Sequence, residues 1–316
     1  MLEGIIQIGN SMLSSGGDMI SNLVKDVPSQ NRKGKQMHVL KFCFNTQKDE
    51  FKLDAREEID SGTALKYAFI GSADGSASPQ WFATGNSYLY HITETLSNLV
   101  KVDFGDELNK KLKTIFKTYY VDLGDKFKRK NRYILNYKKC GIGEEDVLET
   151  LDKIEGEETE KDEKQRYKNI TSSLKKAYSR EFENYVKTEF DIKKDEIGLY
   201  TILVDGTPLS DFKEYREVIL KSKQKNKVSN NIKGYCNMCG NTQNLTWDLS
   251  KIKIKYYITD KITFASQFRN YEKNMILCKD CLNKLMVGEN YVKNKLNTRL
   301  VGFTVYLIPH FILGSP

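Results

Sequence analysis

Hydrophobic residues in the first 230 positions follow two spacings, and each predicts a different kind of element. Runs rich in β-branched and aromatic residues predict strands, which are Met37–Phe44, Phe51–Leu53, Leu65–Ile70 and Gly198–Asp205. Apolar residues three and four positions apart predict helices, which are Leu2–Leu13, Tyr88–Val100, Leu108–Tyr137, Lys164–Val186 and Leu209–Leu220. An Asp-Gly pair at 205 and 206 predicts the turn that closes the last strand. The pattern predicts an α+β fold with a mixed N-terminal α/β body that contains long helices.

Further along the chain, residues 251–258 alternate between apolar and basic positions with period two, which predicts a strand with two different faces. One face carries Ile252, Ile254 and Tyr256. The opposite face carries the lysines Lys251, Lys253 and Lys255.

Two Cys-x-x-Cys pairs flank this predicted strand, with 38 residues between them. Their members are Cys236, Cys239, Cys278 and Cys281. Two such turns bring four thiolates onto one cation, the preferred closed shell for a structural zinc ion. Gly240 favours the turn of the first pair, and apolar spacing after the second pair predicts that it opens a helix. We predict one structural Zn²⁺ in a zinc ribbon, or treble-clef-like unit, embedded in the fold.

Two other interpretations of the cysteines are a redox pair and two unrelated pairs of free thiols. A redox pair usually needs one such motif in a thioredoxin-like context, whereas this chain has two. Six cysteines in 316 residues do not indicate a disulfide framework. We therefore expect a cytoplasmic protein, and no segment of the sequence predicts a secretory leader or a membrane span.

The spacing of these features predicts three regions. The first is an N-terminal α+β body over residues 1–230, with an acidic, mobile insertion at about 144–163. The second is the zinc-ribbon module over residues 231–287. The third, residues 288–316, is predicted as a returning helix and strand that pack on the body.

Charge is distributed unevenly along the chain. The net charge is +8, but the acidic segment 144–163 has eleven acidic residues and two lysines, a net −9, so the remaining residues carry +17. A basic surface attracts polyanions over long range. The alternative is that the lysines serve solubility.

Three groups of residues are candidates for nucleic-acid contact. A predicted cationic helix carries Lys126, Lys128, Arg129, Lys130 and Arg132, and the lysine face of the strand carries Lys251, Lys253 and Lys255. Tyr133 and Tyr137 are one turn apart beside the first group and can stack on bases, or instead pack inward. Gln80 ends a loop of small residues that can approach base edges. The alternative is that this loop is an ordinary connection between a strand and a helix.

No sequence feature indicates catalysis. The three histidines lie in no metal or nucleophile motif, and Glu50-Phe-Lys52 is only a weak nuclease-like pair. A closed four-cysteine site leaves no open position for a reactive water. We predict that the protein is not an enzyme.

The chain resembles the large subunit of type I-B CRISPR Cascade complexes, the Csh-type, Cas-eight-b family. The residues that carry the resemblance are Phe69–Gly71, Leu203–Leu209, Gly234–Gly240, Tyr256–Lys261, Cys278–Cys281 and Tyr306–Pro309. The resemblance spans nearly the whole chain. Members of that family generally run longer, with a C-terminal helical region, which implies a fragment or a natural truncation.

The resemblance implies a non-catalytic subunit that contacts the crRNA 5′ handle and checks the flanking motif in duplex DNA. The partners it implies are the backbone and 5′-handle-binding subunits of the complex, the crRNA, the target double-stranded DNA and a helicase-nuclease. The alternative function is a free-standing zinc-ribbon module that binds only protein.

Overall fold

The computed structural model describes residues 1–16, 18–71, 79–127, 131–224, 232, 234–249, 252–254 and 275–310. Its helices are α1 (Leu2–Ser14), α2 (Met19–Leu23), α3 (Thr63–Lys66), α4 (Tyr88–Thr93), α5 (Thr95–Leu99), α6 (Asp106–Tyr119), α7 (Tyr137–Cys140), α8 (Val147–Glu157), α9 (Glu163–Phe190), α10 (Lys213–Gln224) and α11 (Lys279–Lys295). Its strands are β1 (His38–Asn45), β2 (Glu50–Glu58), β3 (Tyr120–Asp122), β4 (Tyr133–Leu135), β5 (Ile197–Val204), β6 (Thr207–Pro208), β7 (Leu245–Thr246), β8 (Leu277–Cys278), β9 (Asn297–Leu300) and β10 (Phe303–Tyr306). The predicted α+β class is confirmed.

The chain forms two compact units. One comprises Met1–Asp26 together with Glu217–Pro316, and the other comprises Val27–Arg216. The sequence pattern instead grouped the first 26 residues with the N-terminal body. The difference arises because α1 packs on α11, and no local pattern reveals a contact between segments so far apart. Among the described residues, no helix has the length and apolar character needed to cross a membrane.

The larger unit is built on a mixed sheet with the order β2-β1-β5-β6. β1 pairs antiparallel with β2 and parallel with β5, which places Phe42 between Leu53 and Ile202. Strands β1, β2 and β5 lie where the residue pattern predicts them. The predicted turn after β5 is also confirmed, since Asp205 and Gly206 have φ values of 51° and 83°, as a tight hairpin requires.

Aromatic rings fill the core between the sheet and α9. The Phe42 ring stacks on Phe182 at 5.9 Å and on His91 at 5.2 Å. Tyr88 stacks on the other side of this group, with its ring 4.7 Å from that of Phe182. His91 is buried and its Nε2 lies 2.9 Å from the Ala83 carbonyl oxygen. This histidine is therefore a packing residue.

The predicted strand over Leu65–Ile70 is wrong. The segment instead contains the short helix α3, and Ala68 then takes a left-handed φ of 46°. The Asp60 carboxylate starts the helix by accepting hydrogen bonds from the backbone N–H groups of Gly62 and Thr63, both at 2.8 Å. Leu65 is exposed, whereas the successive residues Tyr67–Ile70 are all buried in an irregular segment, so the apolar run does not indicate a strand.

The predicted long helix over Leu108–Tyr137 is also wrong, because α6 ends at Tyr119 and the chain continues into the hairpin of β3 and β4. The Tyr120 hydroxyl is buried and donates to the His91 carbonyl oxygen, which holds the first strand against the core. Gly124 has a φ of 94°, which turns the chain away from helix. Lys126 and Arg132 therefore lie in the connection between β3 and β4 and not on a helix.

The acidic segment 144–163 contains the helix α8. The Asp146 carboxylate accepts a hydrogen bond from the Leu148 N–H at 2.8 Å, which caps the helix. Val147 and Leu151 lie one turn apart and are buried. In the segment predicted as an acidic, mobile insertion, the first half thus forms a helix with a buried face, whereas residues 159–165 are exposed.

The smaller unit depends on a close contact between α1 and α11. A Cβ atom on Gly9 would overlap the Lys284 carbonyl oxygen, and one on Gly288 would overlap the Ile5 carbonyl oxygen. The two helices therefore touch backbone to backbone. A shared apolar core surrounds the contact, and its members include Ile5, Ile8, Leu282, Leu285, Met286 and Val292.

Glu289 lies in the same unit and is 3 % exposed. Its Oε2 accepts the Lys253 N–H at 2.8 Å, while among the described residues no group hydrogen bonds to its Oε1. Burial raises the pKa of this carboxyl to about 7, although the Lys253 N–H acts in the opposite direction. The carboxyl therefore titrates near neutral pH.

We expect Gly9→Ala to destabilise the smaller unit by about 1–3 kcal/mol, because the added methyl group forces the two helix backbones apart. Urea unfolding followed by circular dichroism measures this change. Gly156→Ala in α8 is the matched control, since nothing lies within 4 Å of a Cβ there, and it should raise stability by roughly 0.5–1 kcal/mol. Equal effects of the two substitutions would contradict the close contact.

We expect the contribution of Glu289 to the stability of the folded protein to fall as pH rises from 6 to 8. The folded-state pKa of Glu289, about 7, exceeds its ordinary value of 4.5, so the folded protein holds more protons in this window. Glu289→Gln removes the titration, and its stability relative to wild type should grow by roughly 1.3 kcal/mol from pH 6 to pH 8. Urea midpoints at matched pH test this, and a constant difference between the two proteins would refute it.

Candidate metal centre and predicted nucleic-acid residues

The first cysteine pair lies in a tight turn. The Gly240 N–H donates to the Cys236 carbonyl oxygen at 2.9 Å, and Gly240 has a φ of 74°. The Cys236 N–H donates to the Asn241 carbonyl oxygen at 2.7 Å, which closes the loop behind the turn. A residue with a side chain is strained at this φ, so the predicted role of Gly240 in the turn is confirmed.

The second cysteine pair opens α11, as the apolar spacing after it predicts. Cys278 is the N-cap residue, and its Sγ accepts the Cys281 N–H at 3.4 Å. Strand β8 pairs with β7, which sets Cys278 opposite Leu245. This end of a helix carries partial positive charge, which favours a thiolate.

The turn and the helix bring all four sulfurs together. The four Sγ atoms lie within 4.8 Å of one another, and Cys239 Sγ is 3.6 Å from Cys278 Sγ. A tetrahedral shell with metal–sulfur distances of about 2.3 Å places its sulfurs about 3.8 Å apart. Three of the cysteines are buried and Cys239 is exposed. The cluster therefore has the donor set and the dimensions to hold one metal ion.

The electrostatics of the cluster also favour a cation. Burial opposes a thiolate at Cys236, but backbone N–H groups of Cys278, Met238 and Cys239 lower its pKa to about 7. Burial and the neighbouring thiols instead raise the pKa of Cys281. Four thiolates at these distances repel one another, and a bound cation relieves that repulsion.

The cysteines outside the cluster have different surroundings. Cys43 lies in β1 and is half-buried, and Cys140 ends α7 and is buried. Burial raises the pKa of the Cys43 thiol to about 11 and also raises that of Cys140. Both are therefore ordinary packed thiols.

The first group of predicted nucleic-acid residues is only partly described. Lys126 is exposed in the connection between β3 and β4, whereas Lys128, Arg129 and Lys130 lie outside the described residues. Arg132 forms ion pairs with Asp122, at 2.7 Å, and with Asp125. Its guanidinium therefore holds the hairpin together.

The aromatic residues beside this group are not equivalent. Tyr137 is fully buried, with its ring 4.4 Å from that of Tyr178. Tyr133 is half-buried and packs edge-on against Phe116 at 4.9 Å. The inward-packing alternative therefore describes Tyr137.

Gln80 lies in surroundings different from those predicted, whereas the strand lysines are described only at Lys253. Gln80 is 7 % exposed, and its carbonyl oxygen accepts the Asn98 side-chain N–H at 3.0 Å. A side chain in that position is not accessible to a base edge. Lys253 is exposed, whereas Lys251 and Lys255 lie outside the described residues.

Sequence reasoning missed a second set of cations near Lys126. Lys164 and Lys168 lie on the first turns of α9 beside Tyr167, and together they face a cleft that Lys126 also lines. The signal for them is their helical spacing, which repeats every three to four residues. The apolar residues of the same helix show a stronger periodicity, so the spacing of these lysines is easily overlooked.

Two family models match the chain. One is described as the N-terminal domain of CRISPR-associated protein TM1802 and matches residues 1–221; the other is described as the central domain of that protein and matches residues 233–315. The second match contains all four clustered cysteines. No curated protein and no solved structure matches the chain. Because the two matches cover nearly all of its length, the chain belongs to the CRISPR-associated protein TM1802 family.

Proposed function

We propose that this protein is a non-catalytic, nucleic-acid-binding large subunit of a type I-B CRISPR surveillance complex, and that it works in the cytoplasm. The observation that carries the proposal is the family match over residues 1–221 and 233–315. The basic balance of the chain outside the acidic segment supports contact with RNA and DNA. In such complexes base pairing reads the target, while protein reads a short duplex feature and the backbone.

Within that complex, the proposed contacts are the crRNA 5′ handle and the flanking motif of the duplex DNA target. The proposed protein partners are the backbone subunits, the handle-binding subunit and the helicase-nuclease that acts on the opened target. Lys126, Lys128, Arg129 and Lys130 supply phosphate contacts in this proposal, because they lie within five residues of one another in the sequence that connects β3 to β4. Arg132 positions that connection through its ion pairs with Asp122 and Asp125.

We further propose that the metal held by the four cysteines is one structural zinc ion. Four sulfur donors are the preferred shell of structural zinc, and they fill its tetrahedral positions. No position is then left for water or substrate, so the ion would join the first turn to the start of α11 and take no part in a reaction.

Metal analysis of the purified protein should find about one zinc per chain. Cys236→Ser or Cys281→Ser should remove the metal and destabilise or aggregate the protein, because structural zinc sites contribute on the order of 10–16 kcal/mol of apparent binding energy. Cys43→Ser is the control and should keep the full zinc content. A folded, monodisperse wild-type protein without metal would refute the zinc site.

Changing Lys128, Arg129 and Lys130 to Gln should weaken binding to all duplex sequences alike. The log–log salt slope should fall by up to roughly 0.9 for each phosphate that the variant no longer neutralises. The measurement compares targets with and without the flanking motif, bound by the assembled complex, and the ratio of the two affinities should persist.

The matched control changes Lys48, Lys52 and Lys101 to Gln. These are three exposed lysines of the same unit, and the control variant should keep an affinity and a salt slope near those of the wild type. If both triple variants behave like wild type, the hairpin connection is not the phosphate contact. If the assembled complex forms but this subunit binds no nucleic acid in any setting, the protein-only zinc module is the better description.

A further inference from the structure

A cleft of about 480 Å³ lies between the start of α9 and the connection from β3 to β4. Its volume is within the range of small-ligand sites. One wall comes from helix α9 and the other from the hairpin connection. The residues that line it are Lys126, Phe127, Asn131, Glu163, Lys164, Tyr167, Lys168 and Thr171.

An aromatic pair forms the inner part of the cleft. Phe127 is buried, and its ring meets the Tyr167 ring edge to face at 5.7 Å. Tyr167 is only half-buried, so part of its ring faces the open cleft. Lys126 Nζ lies 6.0 Å from the centre of the Tyr167 ring, the outer limit of a weak cation–π contact that a ligand can displace.

The lysines of the cleft differ from many others in this unit. Lys126, Lys164 and Lys168 are exposed, and within the described part of the chain none forms an ion pair with a carboxylate. By contrast, Lys111 pairs with Asp205 at 3.1 Å. Among the described residues that line the cleft, Glu163 is the only acidic one and three are lysines, so positive charge prevails there.

We propose that this cleft binds one unstacked base of a single-stranded nucleic acid against Tyr167, with the flanking phosphates on Lys126, Lys164 and Lys168. The proposal rests on the proposed function and names a binding site for it. Aromatic faces beside a cationic groove are the usual means of binding single strands without sequence readout. The amide of Asn131 can donate to and accept from the edge of a bound base.

The geometry favours a single strand over a duplex, because a paired base cannot enter a cleft whose floor is a ring. It also favours a nucleic acid over an acidic peptide. A peptide carboxylate uses the lysines but has no flat ring to place on Tyr167.

The test uses the full chain and three fluorescein-labelled probes: a twelve-nucleotide RNA, a DNA of the same sequence, and the DNA duplex. Fluorescence anisotropy gives the affinity of each. Tyr167→Leu should weaken binding of single strands by about fivefold or more, leave duplex binding nearly unchanged, and be rescued by Tyr167→Phe. The RNA and DNA arms distinguish which strand the cleft prefers.

The lysines are tested with Lys164→Gln/Lys168→Gln, which should reduce the single-strand salt slope by roughly 0.7 for each phosphate that is no longer neutralised. Lys176→Gln/Lys187→Gln removes the same charge from exposed positions of the same helix and should have little effect. Polyglutamate serves as competitor, and it should displace the single strands poorly.

Three results would overturn the proposal. If single strands bind but Tyr167→Leu equals wild type, the cleft is not the site, although the proposed nucleic-acid function stands. If Tyr167→Leu weakens duplex and single strands equally, the ring has a structural role. If polyglutamate displaces the probes as well as unlabelled RNA does, the cleft binds acidic chains generally. Failure of the wild type to bind any probe, alone or in the complex, would instead remove the proposed function itself.

Discussion

The backbone contact between α1 and α11 is the constraint on which the smaller unit depends. At Gly9 and Gly288 each helix places a carbonyl oxygen where the other would carry a Cβ atom. Two helices packed this closely have one register, because any shift along the axis brings a side chain into the contact. The apolar residues around the α1–α11 contact therefore pack in one way. This packing joins the first helix of the chain to α11, which begins at Lys279.

The cysteine cluster belongs to the same arrangement. Helix α11 begins directly after Cys278, so a residue of the cluster that could hold a metal ion also determines where that helix starts. The Cys278 Sγ caps the helix by accepting a hydrogen bond from the Cys281 N–H. Cys236 and Cys239 lie in a separate turn that brings their sulfurs close to those of Cys278 and Cys281. A metal ion at this point would join these two segments directly. The short pairing of β7 with β8 is another link between them.

In the larger unit, the basic side chains fall into two groups. Some cations form ion pairs within the protein: Arg132 with Asp122 and Asp125, and Lys139 with Asp49. Such exposed pairs contribute little to stability, but they fix the direction of a side chain. A composition rich in lysine therefore does not by itself locate a polyanion site. The lysines around Tyr167 differ because they surround an aromatic cleft.

Local periodicity and spacing by themselves determined β1, β2, β5, α1, α9 and the four-cysteine motif, because these features depend on residues close in sequence. Only the tertiary structure decided that Leu65–Ile70 is not a strand and that α6 ends at Tyr119. In both places buried apolar residues occur in irregular segments or short strands, which leave no sustained period of two or 3.6. The partners of Arg132, the burial of Gln80 and the cleft beside Tyr167 likewise depend on how separate segments pack together. Tertiary packing determines these surroundings. A sequence pattern indicates which side chains are apolar enough to be buried, but it does not indicate which other residues they will contact.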